Sequence, residues 1–516
     1  MKVSLTDPFA ETAESDFAPT GGQPCKWRLG CALLALFVLV CGARLWLVDF
    51  CGASVPLWDQ WDAEGDALFA PLLRGHLPLS QFFAPHCEHR IVLTRLLAVG
   101  LFELDGMWDP RLEMVVNVGI AAGTAAIVAG LLLREIGRRW WRPVVCVVAI
   151  FWALPYGWEN TTWGFQAQFY FLLLFSFLTI WGLCYGRPYT IAWWAGAASA
   201  ILSCLTMASG FLAPLAVLLV LAAAVVLERK TWRMHLPGFV LCLLCVAVSV
   251  SLMVTVSKHA DMHAAGLHYF LLSFIKDLSW PAYHTPVAFL VYLFPMFFMA
   301  RALVWRPSQR PRPRWFLLCL AGWVALQAGA FAYGRGRSGD AAVSRYQDVL
   351  AIGPLVSFVA LLLESGSMRR RVWYACLAGW FVFMLPELVR NSVFDFRKVL
   401  PHQYHCAAEQ ARRCRAYVET RDLEVLRHTA DQFEIPYPHP ERLARLLDDP
   451  HIRSALLFVP GQEDKAAWPT HLARALLRAS RWIFLMGLLG LTAALWPSRA
   501  SNCGASSRIG DQTGPV

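Results

Sequence analysis

An all-α, polytopic membrane fold is what this sequence predicts, and three observations carry the prediction. Of 516 residues, 57% are hydrophobic and only 16% are charged, whereas soluble domains carry charge on about a quarter of their positions. Apolar runs of about 20 residues recur along the chain, each long enough to cross a hydrocarbon core about 30 Å thick. The basic residues cluster between these runs, so the net charge of +10 reads as membrane topology and not as affinity for nucleic acid.

The elements follow in order. Residues 1–28 form a cytoplasmic tail, polar and mixed in charge, with the composition of disordered chain. The apolar run at about 29–49 starts too late and runs too long for a cleaved signal, so it is a retained first helix. Lys26 and Arg28 before it, with acids after it, place the N-terminus in the cytoplasm. A large first outer loop, 50–111, comes next and is expected to hold interfacial helices. Spans then fall at about 112–133, 143–157, 164–185, 189–207, 211–228, 236–256, 286–303, 315–333, 348–364 and 372–390.

Cytoplasmic turns between them are marked by Arg134, Arg138, Arg139 and Arg142, then Arg187, then Arg229, Lys230 and Arg233. Arg306, Arg310, Arg312 and Arg314, and finally Arg369, Arg370 and Arg371, mark the last two. Residues 29–390 thus form the transmembrane unit. Residues 391–478 are rich in Arg, Glu, Asp, His and Pro, with helical periodicity at 403–427 and 441–448, and read as a small outer C-terminal domain. A last span at 479–497 returns the tail 498–516 to the cytoplasm. The total is about twelve spans, and no internal repeat of the transporter kind stands out. Most of the 15 cysteines lie in apolar runs as small core residues. Cys51 with Cys87, and Cys406 with Cys414, lie in polar segments and can pair if those face an oxidising compartment.

With this topology every polar motif of interest falls on the outer face. The first is Trp58-Asp59-Gln60-Trp61-Asp62-Ala63-Glu64-Gly65-Asp66. Read as a helix, it sets Asp59, Asp62 and Asp66 on one stripe and Trp61, Leu68, Phe69, Leu72 and Leu73 on the next. The second is His86-Cys87-Glu88-His89-Arg90, which opens a helix on which Glu88 and Arg95 share a face. The third is the connection Trp158-Glu159-Asn160-Thr161-Thr162-Trp163, with Gln166 and Gln168 beyond it. The fourth runs from Arg335 and Arg337 to Ser344-Arg345-Tyr346.

Carboxylates beside a membrane with arginines across a cavity suit group transfer from a lipid-linked phosphate. A carboxylate can deprotonate an acceptor hydroxyl or hold a divalent metal, and arginine grips a phosphate bidentately. Asp59 or Asp62 meets the first need, and Arg335, Arg337 or Arg345 the second, although exposed arginines also serve lipid headgroups. Any metal would lie on Asp59, Asp62 and His86, and His86 with His89 also has ligand spacing. Glu88, His89, Arg90, Arg95, Trp158, Glu159, Asn160, Gln166 and Tyr346 complete a set of stacking and hydrogen-bonding groups suited to a sugar donor. The ordinary alternative for Glu88, His89, Arg90 and Arg95 is ion pairing that pins their helix to the acidic loop. For the Trp158–Gln166 groups it is an aromatic belt and interhelical polar contacts.

A cytoplasmic N-terminus, one span, and a large outer loop with Asp59 and Asp62 near its start resemble the GT-C superfamily of membrane glycosyltransferases, which includes protein O-mannosyltransferases and lipid A aminoarabinose transferases. The resemblance implies a polyprenyl-phosphate sugar donor and inverting transfer to an envelope glycan, lipid or protein acceptor. It implies catalysis on the outer face of a bacterial inner membrane, with Asp59 or Asp62 as base or metal ligand and Arg345 near the donor phosphate. The first loop has no adjacent Asp-Glu pair, and the His86–Arg90 element matches no member's signature. A flippase for lipid-linked glycans and a glycan polymerase or ligase are the competing functions. The spans look nearly charge-free at their centres, which weighs against the flippase.

Overall fold

Apolar runs bounded by basic clusters fold as helices throughout. A computed structural model describes residues 26–227, 232–305, 312–427 and 431–496. Among these residues there are helices and two isolated β-bridges but no strand. Among the described residues, nine helices are long and apolar enough to cross a membrane. The pair Trp468–Arg478 and Ser480–Leu495, bent by 62°, makes a tenth if it counts as one span. The readings of the two tails, and of Arg229, Lys230, Arg306 and Arg310, lie outside the described residues. The first helix already runs at its start, Lys26, three residues ahead of the apolar run.

Among the described residues, the helices of two expected spans are shorter than their apolar runs. Ile191–Cys204 and Leu212–Leu227 have 14 and 16 residues. The chain between them turns early, with Ser203 Oγ donating to the Gly210 carbonyl and Thr206 Oγ1 to that of Ser203. That turn is docked on the first loop: Val92 N–H donates to Leu205 O, and Ala208 N–H to His89 Nδ1.

The first and last helices cross almost backbone to backbone. A Cβ at Gly42 would collide with the main chain of Ile483 and Phe484, and one at Gly487 with that of Leu39. Lipid tails are as apolar as leucine, so close approach over small residues is what associates helices in a bilayer. Gly182 and Gly196 form a second such crossing, with a Cβ on Gly182 only 2.7 Å from Gly196 Cα.

Residues 391–478 are neither separated from the bundle nor a core of their own. The helix Arg370–Phe394 continues through a π turn, Asp395–Val399, into Leu400–Thr420. Trp61, Phe69, Phe102 and Trp108 of the first loop then share one hydrophobic core with Tyr417, Leu443, Leu447 and Phe458. The proposed disulfides are not formed, and all four cysteines are free thiols. Cys406 and Cys414 lie eight residues apart on one helix, about 12 Å along its axis, beyond disulfide reach.

Placing leucine at Gly487 is expected to destabilise the detergent-purified protein by about 1–3 kcal/mol through overpacking. Leucine at Gly123, where a Cβ meets open space, is the matched control. Thermal unfolding of the two variants side by side checks this.

Candidate active site

The acidic motif does not form the single stripe that an α-helix would give. Trp61–Phe69 winds as a π-helix, whose hydrogen bonds close over five residues instead of four. Positions four apart then stay aligned while positions three apart diverge. Asp62 and Asp66 accordingly meet one partner, Arg442, each at 2.6 Å. Asp62 also accepts from the Tyr437 hydroxyl at 2.8 Å. Asp59, at the entrance, turns the other way. Trp58 fixes that entrance in the left-handed region, at φ 48°. Its N–H donates to Pro436 O, its indole N–H to Ile435 O, and its ring stacks on Phe433.

Asp59 is 64% exposed and lies 3.9 Å from His86 Nε2, close enough for charge interaction but too long for a hydrogen bond. Desolvation by the surrounding protein opposes its ionisation, but His86 and the Arg345 charge outweigh it and hold the carboxyl below its usual range. His86 and His89 face each other across a tight turn, with paired main-chain bonds of 2.8 and 2.9 Å and Cys87 at φ 49°. Burial pushes the His89 imidazole down to about 4, which agrees with its Nδ1 accepting from Ala208 N–H.

Arg345, the cation opposite Asp59, is mounted on a polar network. Its N–H donates to Glu159 Oε2 at 3.1 Å, and its guanidinium stands 3.9 Å from the same carboxylate. Its carbonyl accepts from Asn160 Nδ2 at 2.8 Å, and that amide also donates to Asp348 at 2.9 Å. Asp348 in turn pairs with Arg44 of the first helix at 3.0 Å, both side chains being buried. Arg44 spends its remaining donors on Trp152 O, Thr161 Oγ1 and the Tyr170 hydroxyl. Arg44 lies seven residues from the end of the first helix and Asp348 four from the start of its own, so this buried charge sits away from the helix centres. Arg44 is hidden in an apolar run, and its partner lies 304 positions away.

Several expected ligands serve the scaffold instead. Glu88 and Arg95 do not share a helix face, because the helix begins only at Val92 and the turn at 86–89 sets Glu88 apart. Glu88 pairs with His259. Arg95 is buried and donates to the carbonyls of Gln81 and Ala84 at 2.7 and 2.5 Å. Arg90 donates to Phe83 O and Leu252 O. Trp158 is buried edge-on against Trp163. Gln166 accepts from Gln168 Nε2, and Gln168 from Thr94. Tyr346 is buried between Phe331 and Phe169. Arg337 is exposed, while Arg335, half-buried, contributes its charge around Cys87 and His89. Asp59, Asp62 and His86 do not converge as metal ligands, since Asp62 belongs to Tyr437 and Arg442.

Sequence reasoning passed over a buried carboxyl pocket behind the motif. Glu64 is 1% exposed and accepts from the Trp108 indole N–H at 3.2 Å, while Gln60 Nε2 donates to Glu113 at 2.8 Å. A Cβ at Gly65 would lie 2.9 Å from the Trp108 ring, and one at Gly164 would lie 2.8 Å from Glu113. Two glycines thus admit the groups that enclose these acids. Compared with family models, curated proteins and solved structures, the chain matches none.

Burial raises the Glu64 carboxyl from 4.5 to about 7. The folded state therefore holds a proton that the unfolded chain releases, and stability falls as pH rises from about 4.5 to about 7, then levels off. Glu64→Gln is expected to reduce that slope and to leave the variant more stable than wild type above pH 7, read by thermal unfolding across pH.

Proposed function

We propose that this chain is a membrane glycosyltransferase that moves a sugar from a polyprenyl-phosphate donor to a cell-envelope acceptor. The observation that carries this reading is Asp59, exposed and held ionised by His86 and by the charge of Arg345, whose main chain is anchored by Glu159. In the reaction Asp59 takes the proton of the acceptor hydroxyl. The acceptor oxygen bonds to the anomeric carbon, the carbon–oxygen bond to phosphate breaks, and the lipid phosphate leaves against Arg345. A carboxylate of low proton affinity suits a transfer in which the hydroxyl proton leaves late, as the oxygen gains positive charge. His86, His89, Glu159 and Arg335 surround the reacting groups, and a divalent metal joining Asp59 would add charge stabilisation.

The two short apolar helices and the bent C-terminal pair complete about twelve crossings in this reading. The acidic turn then faces the outside of a bacterial inner membrane, and the arginine-rich turns face the cytoplasm. A second reading, a flippase for lipid-linked glycans, draws support from Arg44–Asp348, since charge inside spanning helices is a feature of transport pathways.

Asp59→Asn is expected to lower transfer of radiolabelled sugar from membrane polyprenyl-phosphate by about 10²–10⁴-fold, with donor lipid accumulating. Asp62→Asn should cost far less, because Asp62 is bound to Arg442 and Tyr437. Full transfer in Asp59→Asn at wild-type protein levels would overturn the assignment. Lipid-linked sugar that crosses the membrane without being transferred would put the flippase first.

A further inference from the structure

A second group of chemically reactive side chains lies apart from Asp59, on the helix Leu400–Thr420. His402 and Cys406 are one turn apart on that helix and so project to the same side. Asp431 meets them from the following segment. Its Oδ1 accepts from Phe433 N–H at 2.9 Å, which orients the carboxylate. Its Oδ2 then lies 2.5 Å from His402 Nε2. Cys406 Sγ is 3.6 Å from the same nitrogen. One donor atom from each residue falls within 4.8 Å of the others, and among the described residues no other set of three His, Cys, Asp or Glu does so.

We propose that His402, Cys406 and Asp431 form a zinc-class divalent-metal site that ties the segment after Asp431 to the helix Leu400–Thr420. The donor set argues for the metal. Thiolate with imidazole selects zinc and its neighbours, whereas magnesium and calcium take all-oxygen sites. The spacing argues for it too. Bonds of about 2.3 Å to sulfur and about 2.0 Å to nitrogen, at a tetrahedral angle, put those atoms about 3.6 Å apart. The His402–Asp431 distance is that of a hydrogen bond. Insertion of the metal replaces the shared proton and opens the pair by about 1 Å, within reach of two side chains that are 44% and 31% exposed. The thiol proton leaves to solvent, and the fourth position takes water from the open side. Nearby His405 and Glu434 pair with each other at 3.2 Å.

The site sits where a tether has an effect. Phe433, Ile435, Pro436 and Tyr437, directly after Asp431, are the groups that hold Trp58 and Asp62. Metal binding at Asp431 therefore fixes the clamp around the acidic turn, and this holds whatever reaction the turn performs.

The test uses the full-length protein in detergent, stripped with chelator, passed through size exclusion and titrated with zinc or cobalt(II). Expected is one bound zinc per chain by elemental analysis, a thiolate-to-cobalt charge-transfer band, and a higher melting temperature with zinc. Cys406→Ser, His402→Gln and Asp431→Asn should each lose all three signals, while Cys414→Ser on the same helix keeps them. His402 is half exposed, so His402→Gln decides the matter should Cys406→Ser fail to fold. A wild-type protein that takes up no zinc, or stoichiometric uptake that survives His402→Gln, overturns the proposal. So does a cobalt spectrum without the thiolate band.

Discussion

Docking of the first loop against the segment near the C-terminus is the contact on which the rest of the site depends. Trp61 packs edge-on to Trp108 with ring centres 5.2 Å apart, and Phe69 packs on Trp108 at 5.0 Å and on Phe102 at 4.8 Å. Burying side chains of this size contributes about 1.5–3 kcal/mol each. The fork from Arg442 to Asp62 and Asp66 adds direction more than energy, because its members are 26–50% exposed and such pairs contribute about 1 kcal/mol or less. The aromatic core supplies the free energy of docking, and the fork sets its register.

That division of labour separates the acids. Once Arg442 and Tyr437 hold Asp62 and Asp66, a π turn is the winding that keeps those two in line and still buries Trp61, Leu68 and Phe69 beneath them. Asp59 is left outside the clamp, beside His86 and opposite Arg345. The same docking encloses Glu64, whose carboxyl is pushed up to about 7 by burial, against the opposing effect of the Trp108 indole N–H that donates to it. An exposed, ionised carboxylate and a buried one that holds its proton up to about pH 7 thus stand five residues apart, and burial is the difference between them.

Helices, their order and the first-loop motif were legible in the sequence because hydropathy and charge clusters are local signals. Asp59 and Arg345 were legible only as candidates, Asp59 alongside Asp62 and Arg345 alongside Arg335 and Arg337. The choice between Asp59 and Asp62 was not, because it rests on Arg442 and Tyr437, about 375 positions away. Nor was the loss of Glu88 and Arg95 from the ligand set. That follows from Cys87 adopting a left-handed conformation and delaying the helix to Val92, which periodicity alone does not reveal. Arg44 was missed for a different reason: a single charge in a long apolar run barely alters the run's mean hydropathy.

Arg44 and Asp348 also explain why Arg345 can be a dependable cation at all. An arginine near a bilayer ordinarily turns toward water or headgroups, and a mobile guanidinium would hold a phosphate loosely. Here both main-chain groups of Arg345 are used, the N–H by Glu159 and the carbonyl by Asn160. Asn160 is held by Asp348, and Asp348 by Arg44, which bonds to the chain at Trp152, Thr161 and Tyr170. A Cβ at Gly157 would sit 2.5 Å from the Asp348 carboxylate, so the network closes only because glycine stands there. Every donor nitrogen of Arg44 has a partner within 3.0 Å. A charge satisfied so fully is poorly suited to carrying substrate and well suited to holding still the one charge that meets it. The buried pair that favours a transport reading on composition therefore supports a fixed transfer site on geometry.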